Sequence, residues 1–114
     1  MKMVVAVVKP AVTEAVMDAL ALIGVAGMTV SEVKGHGRQK GQTEVYRGAE
    51  YQVTLVPKVR FDIAVDDNIA DKVVETIAQA AKTGKIGDGK IFVLDIAQAL
   101  RIRTGERDGE AIAT

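Results

Sequence analysis

The stretch KMVVAVVK, residues 2–9, comes directly before Pro10. Its β-branched and apolar residues predict a β-strand, and Pro10 ends that strand because proline cannot donate a hydrogen bond to a sheet. Neighbouring side chains of a strand point to opposite faces, and here both faces are apolar. One face carries Met3, Val5 and Val7, and the other carries Val4, Ala6 and Val8. This strand therefore needs cover on both sides.

Outward from this strand, apolar spacing and glycine positions predict a repeated order of elements. The predicted elements are a helix over 12–23 closed by Gly24, a strand over 28–34, an extended segment over 52–66, a helix with Asp66, Asp67 and Asn68 as N-cap candidates that ends at 83–84, and a strand over 90–96. A loop of about 17 residues, 35–51, separates the two halves, which is longer than most structureless loops. A polar tail starts at Gly105.

The order β-α-β, long loop, β-α-β predicts an α+β protein. It is typical of one ferredoxin-like, split-βαβ domain, residues 1–114, with a four-stranded antiparallel sheet. Two helices can cover only one face of such a sheet, while the first strand is apolar on both. We therefore expect a homo-oligomer in which sheets pack against one another.

Composition excludes several classes of site. The 114 residues contain no cysteine and one histidine, His36, which excludes disulfides, thiolate catalysis and histidine-pair metal sites. The longest apolar run has six residues, too few to span a bilayer or to form a secretory signal, so we expect a cytoplasmic protein. The net charge is zero, but residues 34–47 contain four basic residues and one acidic residue. Such a basic, glycine-rich stretch favours a small anion over a long nucleic acid.

Two further segments are rich in hydrogen-bond donors. Residues 84–90 (GKIGDGK) have the glycine and lysine spacing of a phosphate-binding P-loop, but Ile91 replaces the hydroxyl residue that would hold magnesium. The segment predicts an anion-binding nest of backbone N–H groups, or else a plain turn with a helix C-cap at Gly84. Arg101 and Arg103 would project from one face of an extended segment, either towards a phosphate or towards solvent. Together with the basic stretch, these segments predict a polyphosphate site.

Two longer segments resemble the signatures of a known family. YRGAEY (residues 46–51) and TGKIGDGKIFVLDI (residues 83–96) are similar to the signature segments of the PII nitrogen-regulatory signal-transduction proteins, of the GlnB/GlnK type. The likeness runs over residues 1–106. It implies a homotrimer with ATP or ADP in the clefts between subunits, and a T-loop over about 37–55.

The resemblance also implies roles for individual residues. The residues at the nucleotide are Thr29, Gly35, Gly37, Arg38, Gln39, Asp62, Gly87, Asp88, Gly89, Lys90, Arg101 and Arg103. Of these, 87–90 cradle the phosphates, Arg101 and Arg103 come from the adjoining subunit, and Thr29 and Asp62 lie towards the nucleoside. The residues at 2-oxoglutarate are Gln39, Lys40, Gly41 and Lys58, with Mg²⁺ held by the ATP phosphates and Gln39.

The function implied by the resemblance is that of a non-catalytic sensor of nitrogen, carbon and energy status. Tyr51 would be uridylylated by a uridylyltransferase, and Arg47 would enter the pore mouth of an ammonium transporter, the protein's only link to a membrane. Other partners would be enzymes and regulators of nitrogen metabolism, and none would be a nucleic acid.

One alternative is a small nucleotide-binding enzyme that hydrolyses ATP slowly. The donor-rich segments hold no carboxylate–histidine pair and no carboxylate cluster for such chemistry. RNA binding on a ferredoxin-like sheet needs aromatic stacking platforms, and the chain has only two phenylalanines and two tyrosines. The sensor is therefore the favoured hypothesis.

Overall fold

The computed structural model describes residues 1–36 and 55–113. Its strands are β1 (Lys2–Val8), β2 (Thr29–Gly35), β3 (Val56–Val65) and β4 (Gly89–Asp95), and its helices are α1 (Thr13–Leu22), α2 (Asp67–Ala81) and the single turn α3 (Gly109–Ile112). The predicted T-loop lies outside the described residues except for residue 55. None of the helices in the described ranges combines the length and the apolar character needed to cross a bilayer.

The four strands form one antiparallel sheet in the order β2-β3-β1-β4. This is the split-βαβ, ferredoxin-like arrangement that the sequence predicts, and the α+β class is confirmed. β1 lies inside the sheet and pairs with both β3 and β4. Its Val8 is opposite Val59 on one side and Gly89 on the other, while its Lys2 is opposite Val65 and Asp95. The register of β1 therefore defines the two ends of the sheet.

The hydrophobic core lies between the sheet and the two long helices. Alternate β1 residues supply its centre, because Val4, Ala6 and Val8 are all buried. The other fully buried large side chains are Phe61 and Ile63 of β3, Val16 and Leu20 of α1, and Val73 and Ile77 of α2. Burying the apolar stripe of each helix against the sheet is the main source of stability in such a two-layer domain.

The opposite face of the sheet has no helix over it among the described residues. Phe92 and Leu94 of β4 are paired with Val5 and Met3 of β1, so these four side chains share that face. Phe92 is 51% exposed and Leu94 is 52% exposed. We call this surface, consisting of Met3, Val5, Val7, Phe92 and Leu94, the open face.

The predicted helix boundaries move by one or two residues. A short 3-10 turn, Pro10–Val12, precedes α1, and the Pro10 carbonyl accepts hydrogen bonds from both the backbone N–H and the hydroxyl (2.7 Å) of Thr13. Asp66 occupies the N-cap position of α2 but makes no side-chain cap hydrogen bond. α2 ends at Ala81 rather than at 83–84, since Lys82 and the following residues leave the helix.

The C-terminal segment differs most from its prediction. Residues 101–104 form a turn instead of an extended segment, and an isolated bridge joins Leu100 to Arg107. The turn is closed by backbone hydrogen bonds from Gly105 to Arg101 (2.8 Å) and from Arg101 to Glu106 (2.9 Å). Gly105 permits it with a φ of 76°, a value that glycine adopts without strain. The prediction that Arg101 and Arg103 project from one face of a strand is therefore wrong.

Candidate functional site

The connection between α2 and β4 is organised around the carboxylate of Asp88. Oδ2 accepts hydrogen bonds from the backbone N–H groups of Thr83 (2.9 Å) and Gly84 (2.8 Å). The Thr83 hydroxyl donates a further bond to Oδ1. Nζ of Lys9, just beyond the end of β1, lies 3.4 Å from Oδ1 and donates to the Thr83 hydroxyl at 3.3 Å. We call residues 82–90 the glycine loop.

These contacts favour the charged form of the carboxylate. The hydrogen bonds from the Thr83 hydroxyl and the Thr83 and Gly84 N–H groups, with the bond from Lys9, hold the pKa of Asp88 well below its usual range. Asp88 is therefore a permanent anion at physiological pH. Its charge is compensated by donors of the same chain.

Three glycines of this loop have left-handed backbone conformations. Gly84, Gly87 and Gly89 have φ values of 84°, 99° and 108°. A Cβ atom at Gly89 would lie 1.8 Å from the Val7 carbonyl oxygen, so only glycine fits there. The alternative of a helix C-cap at Gly84 does not hold, because α2 ends at Ala81 and its C-cap is Lys82. Left-handed residues next to right-handed ones are the backbone pattern of an anion-binding nest, and the nest stays a prediction for this loop.

A cleft of about 570 Å³ opens beside the glycine loop. The structure brings six predicted site residues together around it: Gly35, Lys58, Gly87, Asp88, Gly89 and Lys90. Nζ of Lys58 donates a hydrogen bond of 2.7 Å to the Gly87 carbonyl, which joins β3 to the loop across β1. The volume suits a small organic ligand, and Lys58, Lys85 and Lys90 supply positive charge.

Thr29 and Asp62 form a second group. They are direct partners in the β2–β3 pairing and lie next to each other on one face. The Asp62 carboxylate accepts two-pronged bonds of 3.0–3.1 Å from Arg60. Asp62 is four residues from Lys58, a distance of about 13 Å along a strand. Within one chain, this pair is therefore well separated from the cleft.

The two predicted arginines lie at the far end of the sheet. The Arg101 guanidinium donates to the Glu106 carboxylate at 3.1 Å and to the carbonyls of Ala111 and Ala113 at 3.3 and 2.5 Å. Ala113 lines a small cavity together with Val65, the last residue of β3. Val65 is paired with Lys2, so this cavity lies at the end of the sheet opposite to the glycine loop. β4 spans six residue steps between the two ends, or about 20 Å.

Arg103 is exposed on the same turn as Arg101. Because about 20 Å separate the two ends of the sheet, neither arginine can reach the glycine loop of its own chain.

No individual role was predicted for Lys9, Thr83, Lys85 or Glu106, although Thr83 and Lys85 stand in the segments quoted above. Lys9 is 74 residues from Thr83 in the chain, and only the β1–β4 register brings them together. A role for Thr83 could have been predicted, because its hydroxyl directly precedes the glycine-rich stretch.

Seven predicted site residues lie outside the described ranges: Gly37, Arg38, Gln39, Lys40, Gly41, Arg47 and Tyr51. Within residues 1–36 and 55–113, no three histidine, aspartate or glutamate side chains are grouped to hold a metal ion.

Comparison with known proteins gives consistent matches. The family described as "Nitrogen regulatory protein P-II" matches residues 1–106. The chain is 59% identical over 112 residues to nitrogen regulatory protein P-II 1 of Escherichia coli K12, covering 98% of this chain and 100% of that protein. It is 57% identical to nitrogen regulatory protein P-II of Rhizobium etli over the same length and coverage. The crystal structure of Arabidopsis thaliana PII bound to citrate superposes with a TM-score of 0.79 at 39% identity, covering 96% of this chain and 90% of that one.

The close approach of Gly89 to Val7 yields a stability prediction. We expect Gly89→Ala to lower the free energy of unfolding by about 3 kcal/mol or more, because the Cβ clashes with a backbone oxygen at a left-handed φ. Gly109→Ala is the matched control, since its Cβ would meet nothing within 4 Å, and its cost should be below about 0.5 kcal/mol. Urea unfolding measures both. Equal stability of the two variants would contradict the close approach.

Proposed function

The chain belongs to the nitrogen regulatory protein P-II family, and from that premise we propose that it is a non-catalytic cytoplasmic sensor that binds ATP or ADP between subunits of a homotrimer. Its regulatory role in nitrogen metabolism follows from the family. The finer parts of the proposal are the ligands, the assembly, the modification and the targets.

The observation that carries the proposal is the separation of the phosphate donors. One chain holds Lys90 and the glycine loop at one end of its sheet, and Arg101 and Arg103 at the other, about 20 Å away. A triphosphate can receive both sets only if the arginines come from a neighbouring subunit. The open face supplies a surface for such an assembly, because its exposed Phe92 and Leu94 are apolar.

We assign the phosphates to Gly87, Asp88, Gly89 and Lys90, with Gly35 near the cleft and with Gly37, Arg38 and Gln39 of the T-loop base. Asp88 takes part through its backbone, since its carboxylate is engaged with Thr83 and Gly84. Thr29 and Asp62 are proposed to meet the nucleoside. Their distance from the cleft in one chain agrees with a contribution to the neighbouring subunit's site.

We further propose that 2-oxoglutarate binds beside the nucleotide, at Lys58, Gln39, Lys40 and Gly41. Lys58 fits a carboxylate because its ammonium group borders the cleft. The related Arabidopsis structure is bound to citrate, which is also a polycarboxylate. When bound with ATP, Mg²⁺ would supply a positive charge for the keto acid, and Gln39 would be its protein ligand.

Targets would be selected through the T-loop. The proposed partners are an ammonium transporter, contacted by Arg47, and enzymes and regulators of nitrogen metabolism. Uridylylation of Tyr51 by a uridylyltransferase would add bulk and a negative charge and so block docking.

Mixing two defective subunits tests the shared site. We expect Lys90→Gln and Arg103→Gln each to weaken ATP binding roughly 10- to 100-fold, as expected for the loss of a charged hydrogen bond. In a trimer that contains both variants, one of the three interfaces joins an intact glycine loop to an intact arginine.

Purified mixed trimers should therefore regain one tight ATP site, measured by calorimetry. Mixed trimers that bind no better than their parents would refute a site built from two subunits. The unmixed variants, treated in the same way, are the controls.

A second prediction concerns the order of ligand binding. We expect 2-oxoglutarate to give a binding isotherm only when ATP and Mg²⁺ are present. Lys58→Met should abolish that isotherm and weaken ATP binding to a lesser extent, because the ammonium group meets the keto acid directly and reaches the phosphate site only through the Gly87 carbonyl. Lys72→Met, an exposed lysine of α2, is the charge-matched control. Equal 2-oxoglutarate binding without nucleotide would rule out the proposed arrangement.

A third prediction distinguishes the two loop tyrosines. After treatment with a uridylyltransferase and UTP, we expect one uridylyl mass on the tryptic peptide over residues 48–58, which contains Tyr51. Cleavage at Arg47 places Tyr46 on the preceding peptide, so mass spectrometry separates the two sites. Tyr51→Phe should abolish the modification and Tyr46→Phe should retain it. Label on the Tyr46 peptide alone would overturn the assignment.

A further inference from the structure

Asp88 introduces a negative charge into a loop whose proposed ligand is an anion. Four donors surround the carboxylate: two backbone N–H groups, one hydroxyl and one ammonium group, from Thr83, Gly84 and Lys9. The side chains of Asp88 and Lys9 are only 25% and 26% exposed. The charge of the Asp88 carboxylate is already stabilised by hydrogen bonds from its own chain. If this side chain rotated towards a phosphate, several of these donors would lose their acceptor.

The contacts join three parts of the chain that are distant in sequence. Lys9 follows β1, Thr83 follows α2, and Asp88 precedes β4. The Lys9 ammonium bridges the other two, since it lies within 3.4 Å of both the Asp88 carboxylate and the Thr83 hydroxyl. The carboxylate thus closes the loop at its base, while Gly87 and Gly89 adopt their left-handed conformations beside it.

We propose that Lys9, Thr83 and Asp88 are positioning residues that hold the glycine loop in its phosphate-binding shape before the ligand arrives, and that the Lys9 and Asp88 side chains do not touch the phosphates. The proposal rests on the nucleotide-binding function proposed above. Its physical basis is preorganisation: a loop that is ordered in advance loses less conformational entropy on binding. Lys9 thereby acts on the nucleotide site through Asp88 and Thr83, without touching the ligand.

The sign of one substitution separates this role from direct contact. If the Asp88 carboxylate faced the ligand, Asp88→Asn would remove a repulsion and strengthen the binding of metal-free ADP. If it orders the loop, the same change weakens that binding, by about tenfold for each 1.4 kcal/mol lost. Binding of ADP is measured by calorimetry in the presence of a chelator, which also removes any contribution of a carboxylate to magnesium. Asp71→Asn, an exposed aspartate of α2, is the control.

A double-mutant cycle tests whether Lys9 acts through Asp88. We expect Lys9→Met to weaken ADP binding about three- to tenfold in the wild-type background, and to have a smaller effect in the Asp88→Asn background, where only the contact with the Thr83 hydroxyl remains. Lys9→Arg should retain most of the affinity, because the positive charge is kept. If Lys9→Met costs the same factor in both backgrounds, Lys9 contacts the ligand directly and the proposal is wrong. Lys72→Met controls for the loss of one positive charge.

Order of the loop can be followed without any ligand. We expect the Thr83 and Gly84 amides to exchange slowly with solvent in the wild-type protein, and faster in Lys9→Met and Thr83→Val, while Thr83→Ser retains protection. If Asp88→Asn does not fold, these variants still decide the question. Failure of wild-type protein to bind ADP would refute the proposed function, whereas unchanged exchange in Lys9→Met and Thr83→Val would refute the positioning role alone.

Discussion

The rest of the structure depends on β1 pairing with a strand on each side. Because β1 is interior, Val8 is opposite both Val59 and Gly89, so the residues after β1, near the start of β3 and before β4 meet at one end of the sheet. Lys9, Lys58 and the glycine loop converge there. The same register places the chain after β4 at the other end, together with its two arginines. The position of this one strand thus creates the cleft and, within one chain, keeps the two arginines away from it.

The cleft is bordered by both positively and negatively charged side chains, and the two kinds have different surroundings. Lys58, Lys85 and Lys90 border the cleft, and Lys58 also donates a hydrogen bond to the Gly87 carbonyl. The single carboxylate of the loop accepts hydrogen bonds from the Thr83 hydroxyl and the loop's own N–H groups, which lowers its pKa. A carboxylate in this loop is therefore compatible with the anion site proposed for it.

Much of the fold could be predicted from local pattern. Alternation in β3 and helical spacing in α1 and α2 determine which residues face the core, because these periods reflect backbone geometry. β1 is apolar on both faces and carries no such signal. The turn at Arg101–Arg103 could not be predicted, because its conformation depends on hydrogen bonds between Arg101, Gly105 and Glu106 that compete with extended structure. Lys9 was missed for a related reason, since its partners lie in another part of the chain.

By itself, the sequence determined the order of elements, the glycine-rich loop, the absence of cysteine chemistry and the surplus of apolar surface on β1, because each is a property of residue type and spacing. Only the tertiary structure decided which donors share a cleft, where the Asp88 carboxylate points, and that Arg101 and Arg103 lie at the opposite end of the sheet. These are long-range facts, set by strand register and by hydrogen bonds between distant segments. Local propensity carries no information about them.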